Sequence, residues 1–394
     1  MKINHQQFIL LLAVMVLATN VASQAFGISY IAIDLNPSGF KDSSAYGTNG
    51  TQQVGNGYPA TGGNSHAFLW NGSATSRVDL NPSGFYYSSA CGTNGTQQVG
   101  TSYGPATGNN YHAFLWNGSA TSCVDLNPSG FFWSYACGIN GAQQVGYGWG
   151  TATDGNTHAL LWNGSASSYV DLNPSGFRNS YAYRTNGAQQ VGYGSDSTTL
   201  GNAYALLWNG SADSFINLNP SGFTGSAAFG ISGTQQVGEG WGSATGDDVH
   251  ALLWNGSAAS CVDLNPSGFR DSFAKGTNGA QQVGYGWGWD ASDPTHALLW
   301  SGSADSYIDL NQFLPEGYSG ARAYDIDGYG NIVGYATYSS GYEHAILWKP
   351  IPEPASLLLF GFGAVILRRC KNKHSSPPWD NIQRIQQDRR QQTS

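Results

Sequence analysis

Six histidines recur at one place in the sequence, His66, His112, His158, His250, His296 and His344, and invite a metal reading. Zinc needs three or four ligands within about 2.1 Å of one point, whereas these residues hold equivalent places in successive repeats and are spread apart by any regular stacking. The pattern favours a structural histidine, hydrogen-bonded between strands or to the next repeat. The recurring "DLNPSG" offers a second lure, because Asp79, Asn81, Ser83 and Gly84 match positions 1, 3, 5 and 6 of a calcium loop. Position 12 should be a bidentate glutamate and is Ala90, with Ala45 at the same place in the first repeat. A turn explains the motif better: the aspartate and asparagine bind backbone N–H groups, and Pro82 and Gly84 shape the bend. No nucleophile elbow, P-loop or HExxH is present, and any Ser, His or Asp of the repeated set has near-copies elsewhere. The residues therefore predict no catalytic set, no metal and no cofactor, and the chain reads as a protein that is not an enzyme.

The elements that carry these residues are seven near-identical repeats. Trp70, Trp116, Trp162, Trp208, Trp254, Trp300 and Trp348 each close an H/Y-A-[FLI]-L-W run, 46 residues apart five times and 48 once. "QQVG" places Val54, Val99, Val145, Val191, Val237 and Val283, and "NIVG" adds Val333. In the third repeat, β-prone runs near Ala136, at Gln144–Tyr147, at His158–Trp162 and at Tyr169–Leu172 are joined by turn signals, among them Asn140-Gly141 and "NGSAS". Four short antiparallel strands in about 46 residues match a propeller blade, whose repeats run roughly 40 to 50 residues.

The first such strand, "SYIAIDLN" at Ser29–Asn36, is of the fourth type and stands alone, while the last repeat, Ala321–Trp348, has the first three types and lacks the fourth. Each supplies what the other lacks. The expected fold is all-β, a seven-bladed β-propeller of four-stranded antiparallel blades closed by the N-terminal strand, over residues 26–350. An open solenoid would need capping units instead.

Composition agrees with turn-rich β-structure: 13% aromatic residues to fill pleated faces and 54 glycines for turns, with only 10% charged. Residues 368–394 carry seven Lys/Arg against two Asp/Glu, so the remainder is more acidic than the net charge of −8 of the whole, which disfavours nucleic acid as a partner. Cys91 and Cys137 share one repeat position in neighbouring blades, and Cys123 and Cys261 share another three blades apart. Neither arrangement brings Cα atoms within the roughly 7 Å that a disulfide needs, so the thiols read as small apolar fillers.

Both ends read as addresses. Lys2, the apolar run Phe8–Ala18 and the small residues Ser23 and Ala25 form a signal-peptide pattern over residues 1–25, with cleavage after Ala25. At the other end, Ala355–Leu367 has 13 apolar residues, about 20 Å of helix against a hydrocarbon core of about 30 Å. Arg368, Arg369, Lys371 and Lys373 follow and favour the cytoplasmic side. Pro352 and Pro354 keep Glu353 in an extended, accessible stretch. Residues 351–373 thus resemble the PEP-CTERM sorting signal of Gram-negative bacteria, a Pro-Glu-Pro tripeptide, a short span and an arginine cluster. The resemblance implies that Pro352, Glu353 and Pro354 are read by an exosortase-type processing enzyme during a transient stay at the inner membrane. Such signals end at the basic cluster, whereas here a polar tail, residues 374–394, continues in a composition typical of disorder.

The repeat itself resembles the bacterial HAF-type extracellular repeat, through His66-Ala67-Phe68 and His112-Ala113-Phe114. That resemblance spans residues 28–350 and implies an exported repeat protein, without transferring any chemistry. What varies between repeats is the link from second to third strand, and function tends to sit on loops held by a rigid scaffold. Tyr103, Tyr111, Trp149, Trp241, Trp287 and Trp289, with Asp154, Asp247, Asp248, Asp290 and Asp293, are expected to share one rim and to suit sugars, by stacking and hydrogen bonding, while repelling anionic polymers. The resulting expectation is a non-catalytic surface or matrix protein whose propeller face binds exopolysaccharide or a surface protein. The alternative is an exported carbohydrate-active enzyme, a lyase or glycosidase, drawing on ionisable residues that break the repeat inside the channel, such as Arg184, Lys275, Arg322 and Asp325.

Overall fold

In "HALLW" at 158–162, Ala159, Leu160, Leu161 and Trp162 are all buried, so residues that point to opposite faces of one strand are covered alike. A strand this dry needs a layer on each side. The computed structural model, which describes residues 29–196, 202–290 and 292–352, supplies those layers by setting seven four-stranded antiparallel sheets side by side in a closed propeller. Among the described residues there is no α-helix. In blade 3 the strands a to d, from the channel outward, are Phe131–Asn140, Gln143–Gly150, Thr157–Trp162 and Val170–Asp171. Residues Tyr30–Lys349 form one compact unit. In the other unit, Met1–Ser29 with Pro350–Ser394, only Ser29 and residues 350–352 are described, and there the Ile351 amide donates to the Ser29 carbonyl.

The turns differ from the simple Asn-Gly expectation. Asn140 stays in strand a, paired with Gln143, and Gly141 at φ 55° takes the first central position, where a type II′ turn needs a positive φ. The link from c to d is longer, with a 3₁₀ turn at Ala166–Ser168 before a two-residue outer strand. An outer edge this short leaves little for another chain to pair with.

Blade 7 closes the ring. Its strands are Tyr318–Ile326, Ile332–Tyr338 and Glu343–Pro350, and its outer strand is Tyr30–Asp34 from the start of the propeller. Each core cluster lies between two blades rather than inside one. Trp116 packs with Val54, Ala67, Leu69 and Leu80 of the preceding blade, and Trp70 of blade 1 packs with Val333, Ala345 and Leu347 of blade 7. The repeat is written seven times because one blade alone leaves both its faces wet.

The "DLNPSGF" turn ties neighbouring blades. Asp79 accepts the Asn81 amide on Oδ1 and the His66 ring on Oδ2 at 2.9 Å. Asn81 donates to the Phe85 carbonyl and accepts from Ser88 Oγ, which in turn accepts the Ala67 amide of the preceding blade. The same pattern recurs at Asp125, Asn127 and Ser134, and at Asp171, Asn173 and Ser180. Each histidine is thereby held within its own blade.

Candidate binding cleft

Strand a carries a β-bulge in every blade, and the bulge decides what faces the channel. The register slips between Ala136 and Gly138, leaving Cys137 unpaired, and slips alike around Tyr46, Cys91, Tyr183, Phe229, Lys275 and Tyr324. A bulge re-aims its extra residue, and these seven side chains, one per blade, line a central cavity of about 280 Å³ together with Arg184. The glycine of each "QQVG" makes the bulge possible: a Cβ at Gly146 or Gly192 would overlap the carbonyl of Tyr135 or Tyr181 on strand a.

Arg184 pins the ring at its centre. Five equivalent positions are glycine, Gly47, Gly92, Gly138, Gly230 and Gly276, and the seventh is Asp325. The guanidinium donates to the carbonyls of Cys137 and Tyr183 through one nitrogen and of Tyr46 and Cys91 through the other, so it ties four blades. Asp325 is half-buried and accepts the Thr48 and Ile326 amides; desolvation holds its carboxyl above the usual value, against the pull of the Arg184 charge. Lys275 pairs with Glu239 at 2.8 Å and sits 3.8 Å from the centre of the Phe229 ring. Burial likewise raises the Cys91 and Cys137 thiols, which are free.

One layer above the bulge, toward the b-to-c loops, the blades cease to be alike. The cross-strand pair facing inward is Tyr135/Tyr147 in blade 3, Tyr181/Tyr193 in blade 4 and Phe273/Tyr285 in blade 6. These rings fill the funnel in a chain of contacts at 4.8 to 5.3 Å within the pairs, with Tyr147 against Tyr181 at 4.9 Å. In blades 1 and 2 the same pair is Ser44/Asn56 and Ser89/Thr101. Small polar residues there open a cleft of about 550 Å³, lined by Asp42, Ser44, Tyr46, Asn56, Tyr58, Tyr87, Ser89, Cys91 and Glu343 among others. Asp42 Oδ1 accepts the Glu343 amide at 3.0 Å. Burial lifts the Glu343 carboxyl above its ordinary value, opposed by hydrogen bonds from Tyr335 and Ser44 and by the Arg322 charge. Such a cleft offers ring faces, hydroxyls and carboxylates to one ligand, the mixture that suits a sugar.

The rim residues expected from the sequence do not form one patch. Tyr103 and Tyr111 lie 5.0 Å apart, and Tyr111 reaches Tyr87 at 5.6 Å, so this pair adjoins the cleft. Trp149 stacks on Trp133, and Trp241 covers Gly225. Trp287 donates Nε1–H to Asp271 at 2.9 Å. Trp289 is 71% exposed, and Asp290 beside it accepts the Ser292 amide and hydroxyl, which lower its carboxyl below the usual range. Asp248 holds Arg270 at 3.1 Å. Sequence reasoning missed Asp42, Tyr58, Tyr87 and Glu343; the signal was the Ser/Asn/Thr break in an otherwise aromatic inward pair. Of the channel candidates, Arg184, Lys275 and Asp325 face the channel, while Arg322 lies over the Tyr285 ring at 4.7 Å and lines a neighbouring cavity.

Residues 350–371 match the PEP-CTERM protein-sorting motif, which marks an exported protein that passes through membrane-anchored processing by an exosortase in a Gram-negative bacterium. Of the residues assigned to sorting, Pro352 is described and exposed; Glu353, Pro354, Arg368 and Arg369, and the cleavage residue Ala25, lie outside the described residues. No curated protein matches the chain. Among solved structures it is similar to the β-propeller domain of the Trilobed protease from Pyrococcus furiosus, at 8% identity and a TM-score of 0.52, over 78% of this chain and 98% of that one. It is also similar to a puromycin-hydrolyzing peptidase of Mycobacterium tuberculosis, at 13% identity and a TM-score of 0.46, over 73% of this chain and 47% of that one. A Trypanosoma rangeli sialidase gives 10% identity and a TM-score of 0.36, over 90% and 64%. At these identities the likeness is one of fold. The Pyrococcus domain is described as having an open velcro topology, whereas here Tyr30–Asp34 pairs with the last strand.

These comparisons correct one expectation. The sequence predicted a chain that is not an enzyme, but the architecture it adopts is that of a domain of a protease, so neither the fold nor the lack of a familiar motif sets catalysis aside.

Proposed function

We propose that the chain is an exported propeller that binds an extracellular polysaccharide in the cleft between blades 7, 1 and 2. Export and sorting follow the motif at residues 350–371; the signal peptide over residues 1–25 delivers the chain, and processing hands it to the cell surface or matrix, in keeping with the resemblance to HAF-type repeats. The observation that carries the binding reading is the broken symmetry of the funnel: aromatic pairs fill it in blades 3, 4 and 6, and Ser44/Asn56 with Ser89/Thr101 leave about 550 Å³ walled by Tyr46, Tyr58 and Tyr87. A polymer chain crosses such a cleft with its ring faces on tyrosine and its hydroxyls on Ser44, Asn56, Ser89, Asp42 and Glu343.

A screen against defined polysaccharides tests this, comparing the native chain with Tyr58→Ala and Tyr87→Ala. Binding that is lost in both variants is the expected result; binding unchanged in both removes the cleft from the function. The same incubations, assayed for new reducing or unsaturated ends, read out any turnover.

A further inference from the structure

The cleft carries more negative charge than a neutral sugar needs. Its lining includes two carboxylates, Asp42 and Glu343, and no lysine or arginine. Asp42 Oδ1 is engaged by the Glu343 amide, while Oδ2 has no partner among the described residues. Lys41, next to Asp42 in sequence, holds its Nζ 5.8 Å from the centre of the Tyr342 ring, and Arg322 lies over the rings of Tyr285 and Tyr335 in a cavity of about 220 Å³ that Glu343 also lines. Neither cation forms an ion pair within 4.0 Å of Asp42 or Glu343 among the described residues, where the lysine and arginine pairs are those of Arg77, Arg270 and Lys275. Tyr46, Tyr58 and Tyr87 add ring faces, which attract cations through the quadrupole of the ring. Two carboxylates beside three tyrosines make a site for an ammonium group set among hydroxyls.

Resting on the glycan reading above, we propose that the cleft selects a polysaccharide bearing free primary amines, a deacetylated amino-sugar polymer, over its neutral counterparts. The amine sits between Asp42 and Glu343, and the flanking sugar faces lie on Tyr58 and Tyr87.

Three hexasaccharides of one linkage separate the possibilities: β-1,4-linked glucosamine, N-acetylglucosamine and glucose, which present an amine, an acetamide and a hydroxyl at the same carbon. Titration calorimetry with the full chain at pH 6 and moderate salt is expected to show the amine hexamer binding at least tenfold more tightly than the other two. Asp42→Asn and Glu343→Gln, both near-isosteric, each lower that affinity about fivefold or more and leave the glucose hexamer unchanged. Asp305→Asn, an exposed carboxylate remote from the cleft, leaves all three unchanged and excludes general attraction to an acidic protein. Equal binding of the three hexamers by the native chain overturns the amine selectivity and leaves the glycan reading standing. Absence of binding to all three sinks both.

Discussion

Asp34 and His344, 310 positions apart, meet at 3.0 Å. Their pairing reproduces across the chain ends the contact that His112 and Asp125 make within blade 2, at 2.7 Å. Asp34 also accepts the Tyr318 hydroxyl at 2.7 Å, so the closing strand is held by one more side chain than its counterpart in blade 2. Asp34→Ala should therefore destabilise the ring more than Asp125→Ala. We expect about 1 kcal/mol beyond the cost of the blade 2 variant, the usual worth of one partly buried hydrogen bond. Equilibrium urea unfolding of both variants measures the difference. Equal midpoints would show that the closing strand bears no special load.

Arg184 and Asp325 predict a pH dependence. Burial raises the Asp325 carboxyl above its ordinary value and Arg184 partly lowers it again. A carboxyl with a raised folded-state pKa adds nothing unfavourable below its ordinary value, where both states are protonated, and costs stability as pH rises through the folded value. In Arg184→Met the opposing charge is gone, so that cost grows. The variant should lose about 2 kcal/mol from the carbonyl bonds at any pH, and lose more at pH 7 than at pH 4. A loss that is larger at pH 4, or none, contradicts the pin.

The ring was legible because hydrophobic pattern and turn chemistry repeat, and because the lone strand at Ser29–Asn36 matches the gap after Trp348. The bulge was not legible. Nothing in "SYACGINGAQQVGYG" marks Cys137 as unpaired, since period-2 alternation carries no sign of one extra residue. Without the bulge, neither the row Tyr46 to Tyr324 nor the inward pairs one layer above it can be placed. The aromatic residues of the b-to-c loops drew attention instead, and most of them serve packing: Trp149 against Trp133, Trp241 over Gly225.

Gly192 tests the bulge directly. A Cβ there overlaps the Tyr181 carbonyl oxygen, a backbone atom that cannot rotate away, so Gly192→Ala must push strand a and b apart. We expect a loss of roughly 2–3 kcal/mol, as for an overpacked core. Gly164→Ala is the comparison: its φ is 80° but nothing lies within 4 Å of the added carbon, so only backbone strain of about 1 kcal/mol applies. Thermal melts of the two variants give the order. If Gly164→Ala proves the more costly, close approach is not the reason for the glycine in "QQVG".

Trp287 and Trp289 are two residues apart and do different work. Trp287 is half-buried, bonded to Asp271, whose other oxygen accepts the Val249 amide of blade 5, and its ring lies 5.0 Å from Phe273. Trp287→Ala removes a strut between two blades and should cost about 3 kcal/mol. Trp289 is exposed, with Arg270 over its ring at 5.9 Å, so Trp289→Ala should change stability by less than about 0.5 kcal/mol. Its effect on ligand binding then discriminates between surfaces without the confusion of unfolding. With the ligand in the cleft of blades 7, 1 and 2, Trp289→Ala binds polysaccharide as the native chain does while Tyr87→Ala does not. The reverse result moves the ligand to the rim of blade 6, where the amine-bearing sugar would have to find Asp290 and Asp293 instead.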